Sequence, residues 1–427
     1  MNQNNGSHDS SFRDISYTGV IYVIHRATEY GYHPHHPDWV NLGQGAPEIN
    51  ELPGGMPRLS SMLIDLDEHE YTPVAGELAL RQKVADVYNS MYRKHHQSKY
   101  TYKNVCISGG GRVGLTRVIA SLGNINLGHF LPDYTAYEEI LSSFKAFVPI
   151  PILLDPKNSF RMSIEQMEQE ILGRGLKALL LSNPSNPTGR VIQGDELKGL
   201  VDLGYKHECT LILDEFYSHY VYSNENHPSI ISAAQFIEDV NQNSVIIIDG
   251  LTKNWRYPGW RISWTLGPEK VIEILSSVGS FLDGGANHPL QHEAIPLLEP
   301  DYIYQETQAI QNHFRKKRDY LLKNLLALDF EIAVEPEGTF YIWANVQKLP
   351  PPLNNGFSFF EACLKEQVIV VPGIFFDVNP EKRRKNARYD QYIRISFGAE
   401  MSALEQGVAA IERTIQKAKA SNFSKGL

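Results

Sequence analysis

Lys253 is the residue whose setting most invites chemistry. It lies just past the apolar run Ser244-Val245-Ile246-Ile247-Ile248. Four β-branched residues in succession read as a strand buried on both faces. A lysine at the end of such a strand is out of place unless its amine has a task. A desolvated amine has a lowered pKa and can condense with a carbonyl to form a Schiff base. Eight residues on, Gly259-Trp260-Arg261 supplies a fixed cation, the kind of group that holds a phosphate. Together they suggest an aldehyde cofactor carrying a phosphate, a description that pyridoxal phosphate fits. A surface loop with ordinary basic residues would show the same short pattern, so the reading rests on what the other elements bring.

Three more stretches place polar groups where a buried strand ends. Thr210-Leu211-Ile212-Leu213 delivers Asp214, Glu215 and Tyr217, and carboxylates there are costly without a partner. Lys177 to Ser182 runs into Asn183-Pro184-Ser185-Asn186-Pro187-Thr188-Gly189, whose two Asn-Pro pairs and glycine force a tight turn. Asn104 to Ser108 runs into Gly109-Gly110-Gly111-Arg112-Val113-Gly114, and Asp133 follows about one βα unit later. That is the pattern of a dinucleotide site, and equally of any phosphate held at a helix N-terminus. It points to an anionic ligand more firmly than to NAD. Just past Phe130-Leu131, Asp133-Tyr134-Thr135-Ala136-Tyr137 presents aromatics. His33-Pro34-His35-His36-Pro37-Asp38 reads as a loop of solvated histidines, because its prolines forbid a helical ligand pair, and no metal site is expected.

The elements that must hold these residues alternate strand and helix over residues 100–270, which argues for a doubly wound α/β sheet. Apolar residues recur at helical spacing from Glu77 to Tyr92, and Ala146 to Leu154 is a further strand candidate. Ile262 to Leu266 is expected to pair antiparallel at the sheet edge. A long helix is expected over Ile303 to Leu326, followed by strands at 340–343, 368–371 and 392–395. That predicts an N-terminal arm over 1–59, a large domain over 60–300 and a smaller α+β domain over 301–427. Residues 1 to about 14 are polar and read as disordered.

With 427 residues, 42% hydrophobic and 21% charged, the chain has ordinary globular composition. Its net charge of −9 argues against a general nucleic-acid binder. No apolar run reaches the ~18 residues of a membrane span. Without an apolar leader at Met1 to Asp14, and with Cys106, Cys209 and Cys363 far apart, the expected setting is a reducing cytoplasm.

In their order and spacing these residues resemble the class I/II aminotransferases, the fold-type I pyridoxal phosphate enzymes, from about Asn41 to Ile415. The turn at 183–189, Asp214 with Tyr217, Lys253 with Arg261, and Arg394-Ile395-Ser396-Phe397 carry the resemblance. It implies a three-layer α/β/α large domain with a mostly parallel sheet and a smaller α+β domain. It implies that Lys253 holds the cofactor and moves the substrate proton, and that Asp214 pairs with the ring nitrogen. Asn186 and Tyr217 would bond the ring oxygen and Tyr134 would stack on the ring. Gly110, Gly111 and Arg112 would cap the phosphate, mainly through N–H groups, with Thr252 and Arg261 adding a hydroxyl and a cation. Tyr71 would reach the phosphate of a neighbouring subunit, making a homodimer. Arg394 would clamp the substrate carboxylate, beside Gly45 and Asn186.

Two positions depart from the family: Gly250, where a serine is common, and Gly111, where a hydroxyl or amide is common. No Arg or Lys occurs from Val278 to Pro289, where aspartate-specific relatives bring a distal arginine, and Asp283 stands near its place. Asp283 is therefore expected to line the substrate site and disfavour dicarboxylates, unless it simply caps the turn before Gly284-Gly285. The implied activity is transfer of an amino group from an α-amino acid to a 2-oxo acid. The alternative is elimination, cyclisation or oxidation of an amino acid with the same cofactor.

Overall fold

The computed structural model describes Tyr17, residues 19–222 and residues 229–425. The expectation for residues 1 to 14 lies outside the described residues. The centre is a seven-stranded sheet. In spatial order its strands are Val105–Ser108, Ser263–Leu266, Val245–Gly250, Thr210–Asp214, Leu176–Ser182, Asn126–Leu131 and Val148–Leu153. The last five named are mutually parallel. Ser263–Leu266 is antiparallel to both its neighbours.

The expected edge position of that antiparallel strand is corrected. It lies inside the sheet, with Gly250 opposite Ser263 on one side and Ser108 opposite Ser263 on the other. The chain turns back at Lys253 and pairs with the strand it has just left, and Val105–Ser108 then closes that edge. Two antiparallel steps restore direction, so Val105–Ser108 ends on the same side as the parallel strands. The residues after six carboxyl ends therefore gather along one edge, where ligands of open α/β sheets bind.

The central strands are largely apolar because both faces are covered. Ile246 and Ile248 join one core, while Val245 and Ile247 join the other. Leu180 and Ile212 likewise divide from Leu179 and Leu211. The run 368–371 is two short strands rather than one. Val368–Ile369 pairs parallel with Val40–Asn41, and Val371–Pro372 pairs antiparallel with Tyr392–Ser396, which also pairs with Tyr341–Asn345. The long helix spans Pro300–Ala327. Among the described residues, no helix is long and apolar enough to cross a membrane.

Candidate active site

The strand that delivers Lys253 ends at Gly250, and the lysine sits in the turn beyond it. That turn is bolted down on every side. Asn254, fully buried, donates to Asp249 Oδ1 at 2.8 Å and Ser218 Oγ at 2.9 Å, and accepts from the His219 N–H at 3.1 Å. Buried Arg256 bonds Glu306 at 2.9 Å and the carbonyls of Glu48 and Asn50 at 2.9 and 2.7 Å. Tyr220 donates to the Lys253 carbonyl at 3.1 Å. The lysine's amine donates to the carbonyl of Gly45. Burial and the guanidinium groups of Arg394, Arg112 and Arg261 depress its pKa to about 7, against the opposing pull of Asp214.

Asp214 closes its strand and accepts from the Tyr137 hydroxyl at 3.0 Å. Burial raises its pKa to about 6, although Tyr137, the Phe216 N–H and Lys253 all favour the ionised form. Tyr217 lies one turn on, its hydroxyl 2.8 Å from that of Tyr341. Tyr134 is half-buried, and its oxygen accepts from Arg112 Nε and Nη2 at 3.2 and 3.1 Å. The Arg112 side chain is thus tied to Tyr134.

The Asn-Pro turn is tied to the strand ends beside it. Asn183 exchanges two hydrogen bonds with the Ile192 backbone, at 2.8 and 2.9 Å. Ser182 Oγ donates to Asp133 at 2.9 Å and accepts from the Asn186 N–H at 3.1 Å. This fixes Asn186 under Arg394, whose Nη1 donates to Asn186 Oδ1 at 3.0 Å and whose Nη2 donates to the Gly43 carbonyl at 2.9 Å. With Oδ1 occupied, the Asn186 amide nitrogen remains as a donor. Arg394 is 1% exposed, and its Nε has no hydrogen-bond partner.

Gly110 precedes the helix Gly111–Ala120 with φ of 96°, a conformation that favours glycine. The Arg261 guanidinium lies against it: a Cβ at residue 110 would stand 2.1 Å from Arg261 Nη2. The two departures from the expected pattern have steric causes. A Cβ at 111 would stand 2.4 Å from the Phe216 ring, and one at 250 would stand 2.5 Å from Ser263 Cα. Thr252 is half-buried in the lysine turn.

This geometry assembles Lys253, Asp214, Tyr217, Asn186 and Arg394 with the 109–112 turn. The sequence profile of the aminotransferase class I and II family matches residues 37–411. The chain belongs to that family. This aminotransferase is 24% identical over 383 residues to a probable aspartate/prephenate aminotransferase of Aquifex aeolicus, covering 89% of this chain and 92% of that one. It is 25% identical over 404 residues to aromatic-amino-acid aminotransferase 2 of Thermococcus litoralis, covering 89% and 92%. Its fold matches an aspartate aminotransferase from Thermus thermophilus with maleate, at a TM-score of 0.76 and 22% identity, covering 94% and 100% of the two chains. The fold is that of the fold-type I pyridoxal phosphate enzymes, and the aminotransferase is pyridoxal phosphate-dependent.

Its residues fit that cofactor. Lys253, Arg394, Arg112 and Arg261 act together on one place, and among the described residues none of them forms an ion pair with a carboxylate. A site with three guanidinium groups around a partly charged amine, and Asp214 opposing them, is suited to receive anions. A phosphate and a substrate carboxylate supply them.

Two expected site residues stand apart in this aminotransferase. Tyr71 is 98% exposed, on an arm whose neighbours are fixed: Glu70 O by His288 at 3.1 Å, and Thr72 Oγ1 by Gln291 at 3.2 Å. Asp283 ends the helix Glu269–Leu282 and binds Arg117, Nε to Oδ2 at 2.8 Å, while accepting from the Gly285 N–H at 3.0 Å. The expectation of an unpaired substrate-facing carboxylate is therefore corrected: its charge is already met by a buried arginine. Tyr341, Asn254 and the hydroxyl of Tyr137 carry no local sign in the sequence. The run Phe340-Tyr341-Ile342-Trp343 is aromatic and apolar throughout, and nothing in it shows that Tyr341 meets Tyr217. Among the described residues no cluster could hold a metal ion.

Proposed function

We propose that this aminotransferase moves the amino group of an α-amino acid to a 2-oxo acid as a homodimer, with Lys253 as its catalytic base. The observation that supports it most is the depressed Lys253 amine among Arg394, Arg112 and Arg261. Pyridoxal phosphate supplies, when bound, an aldehyde for a lysine and a ring that stabilises negative charge at the substrate Cα. Lys253, half neutral near pH 7, would be the amine that holds the cofactor and the base for the Cα proton. Asp214 would keep the ring nitrogen protonated. Asn186 and Tyr217 would serve as donors to the ring oxygen, and Tyr134 would offer its ring for stacking. Gly110, Gly111, Arg112, Thr252 and Arg261 would hold the phosphate. Arg394 binds the substrate carboxylate, with Gly45 and Asn186 beside it, and its unpartnered Nε favours that role.

The homodimer is consistent with large apolar side chains left exposed in the single chain: Leu63 is 87% exposed, Leu66 83% and Phe281 73%. Exposed apolar surface of this kind is characteristic of protein interfaces, and in the homodimer Tyr71 would reach a second copy's phosphate. The large unit over residues 60–300 would hold the cofactor, and residues 301–427 would form the smaller unit. The pairing of Asp283 removes the repulsive ground for excluding dicarboxylates, the family includes aspartate aminotransferases, and aspartate and aromatic amino acids both enter the donor test. In a half-reaction with stoichiometric donor, the enzyme should yield the 2-oxo acid and the amino form of the cofactor. Ammonia release without an acceptor would contradict transamination.

A further inference from the structure

Tyr341 stands where three parts of the site meet. It opens the strand Tyr341–Asn345 and is fully buried. Its hydroxyl lies 2.8 Å from that of Tyr217. The Arg394 guanidinium carbon lies 4.0 Å from the centre of its ring. A Cβ at Gly45, whose carbonyl receives the Lys253 amine, would stand 3.4 Å from the Tyr341 hydroxyl. The strand register accounts for the arrangement. Tyr341 pairs with Ser396 and Arg394 with Trp343, so Tyr341 and Arg394 are diagonal neighbours across the ladder.

Two phenols that share one hydrogen bond must divide the roles of donor and acceptor. When Tyr217 donates to an anionic ring oxygen, its own oxygen is left to accept. Tyr341 then is the donor, and a cation over its ring makes it a better one by drawing charge from the phenol. We propose that Tyr341 is a positioning residue that acts through Tyr217, donating to the Tyr217 oxygen so that the Tyr217 proton is turned toward the cofactor's ring oxygen. This rests on the reading of Tyr217 given under the proposed function.

The consequence has a sign. A donor on the ring oxygen stabilises its negative charge and loosens the proton on the nitrogen that joins Lys253 to the cofactor. Removing the donor therefore raises the pH at which that proton leaves. Tyr341→Phe deletes one oxygen and leaves the ring under Arg394. The readout is the pH midpoint of the visible absorbance of the bound cofactor without substrate, in wild type, Tyr341→Phe, Tyr217→Phe and the double variant. Tyr217→Phe should raise the midpoint by about one unit or more, a tenfold change. Tyr341→Phe should raise it by roughly half a unit, and the double variant no further than Tyr217→Phe alone. Should Tyr341→Phe fail to fold, 3-fluorotyrosine at 341, a stronger donor of the same shape, should lower the midpoint. An unmoved midpoint in Tyr341→Phe, an upward or absent shift with fluorotyrosine, or an additive double variant overturns the proposal while leaving the Tyr217 reading intact. An unmoved midpoint in Tyr217→Phe overturns both.

Discussion

Asp283 and Arg117 hold one another across two helices: Arg117 Nε donates to Asp283 Oδ2 at 2.8 Å, and Arg117 Nη1 reaches the carbonyls of Val74 and Ile107, at 3.3 and 3.2 Å. The arginine is 1% exposed, so its charge depends on this partner. Burial alone would raise the Asp283 pKa, but Arg117 and the Gly285 N–H outweigh it and the net shift is downward. A lowered carboxyl pKa gives stability that is full above its unfolded value and is lost as pH falls through the folded one. Asp283→Ala should cost about 2–4 kcal/mol near neutral pH by stranding a buried charge, and less in acid. Chemical denaturation checks this. The ranking of amino donors should stay as in wild type.

Asp214 is costly to the cofactor-free protein. Its carboxyl ionises near 4 when unfolded but only at about 6 in the fold. Between those values the folded state binds more protons, so stability falls as pH rises and the full cost stands above pH 6. Asp214→Asn should therefore stabilise the cofactor-free chain by roughly 1–3 kcal/mol at pH 7.5, and hardly at all at pH 4. The loaded variant should lose on the order of 10²–10³ in turnover, because the ring nitrogen is no longer held protonated. Calorimetry at two pH values and steady-state kinetics separate the two effects, and near-normal turnover would reject the role.

Installing the serine common at position 250 should harm rather than help. A Cβ there meets Ser263 Cα at 2.5 Å, within the antiparallel pair. Gly250→Ser should lower stability by about 1–3 kcal/mol through overpacking, with no gain in cofactor retention. Slower cofactor release from this variant would show that the strands can part to admit the hydroxyl.

Tyr71 should act in trans. Tyr71→Phe should speed cofactor loss on dialysis by roughly tenfold, the effect of about one lost charge-assisted hydrogen bond. Light scattering should find dimers in wild type and variant alike. A fully active monomer at assay concentration would contradict the assignment.

The legible part of the site consists of residues that follow an apolar run directly. Asp214 closes a strand, Lys253 and Asn186 lie in the turns after two others, and the Asn-Pro pairs announce their own turn. Sheet direction follows from the same runs. What stayed hidden depends on partners far along the chain. Tyr341 gains its meaning from Tyr217, 124 residues away, and Asp283 from Arg117, 166 residues away. Local spacing near Asp283 described a turn before two glycines and did not reveal the helix packing that supplies an arginine. Asn254 and Arg256 looked like ordinary loop polarity, because a buried hydrogen-bond hub and a solvated loop have the same composition. The antiparallel strand lies inside the sheet rather than at its edge; pattern gives strand direction more readily than order.

Lys253, with a pKa of about 7, is the amine expected to capture the cofactor. Cofactor-free protein is mixed with pyridoxal phosphate at a series of pH values, reduced with borohydride and digested, and the modified peptide is located by mass spectrometry. The label should fall on Lys253, with a rate of capture that rises through a midpoint near pH 7 and then levels off, since the neutral amine is the nucleophile. A label on another lysine, or a rate at Lys253 that still climbs toward the pH of an ordinary lysine, would contradict that assignment.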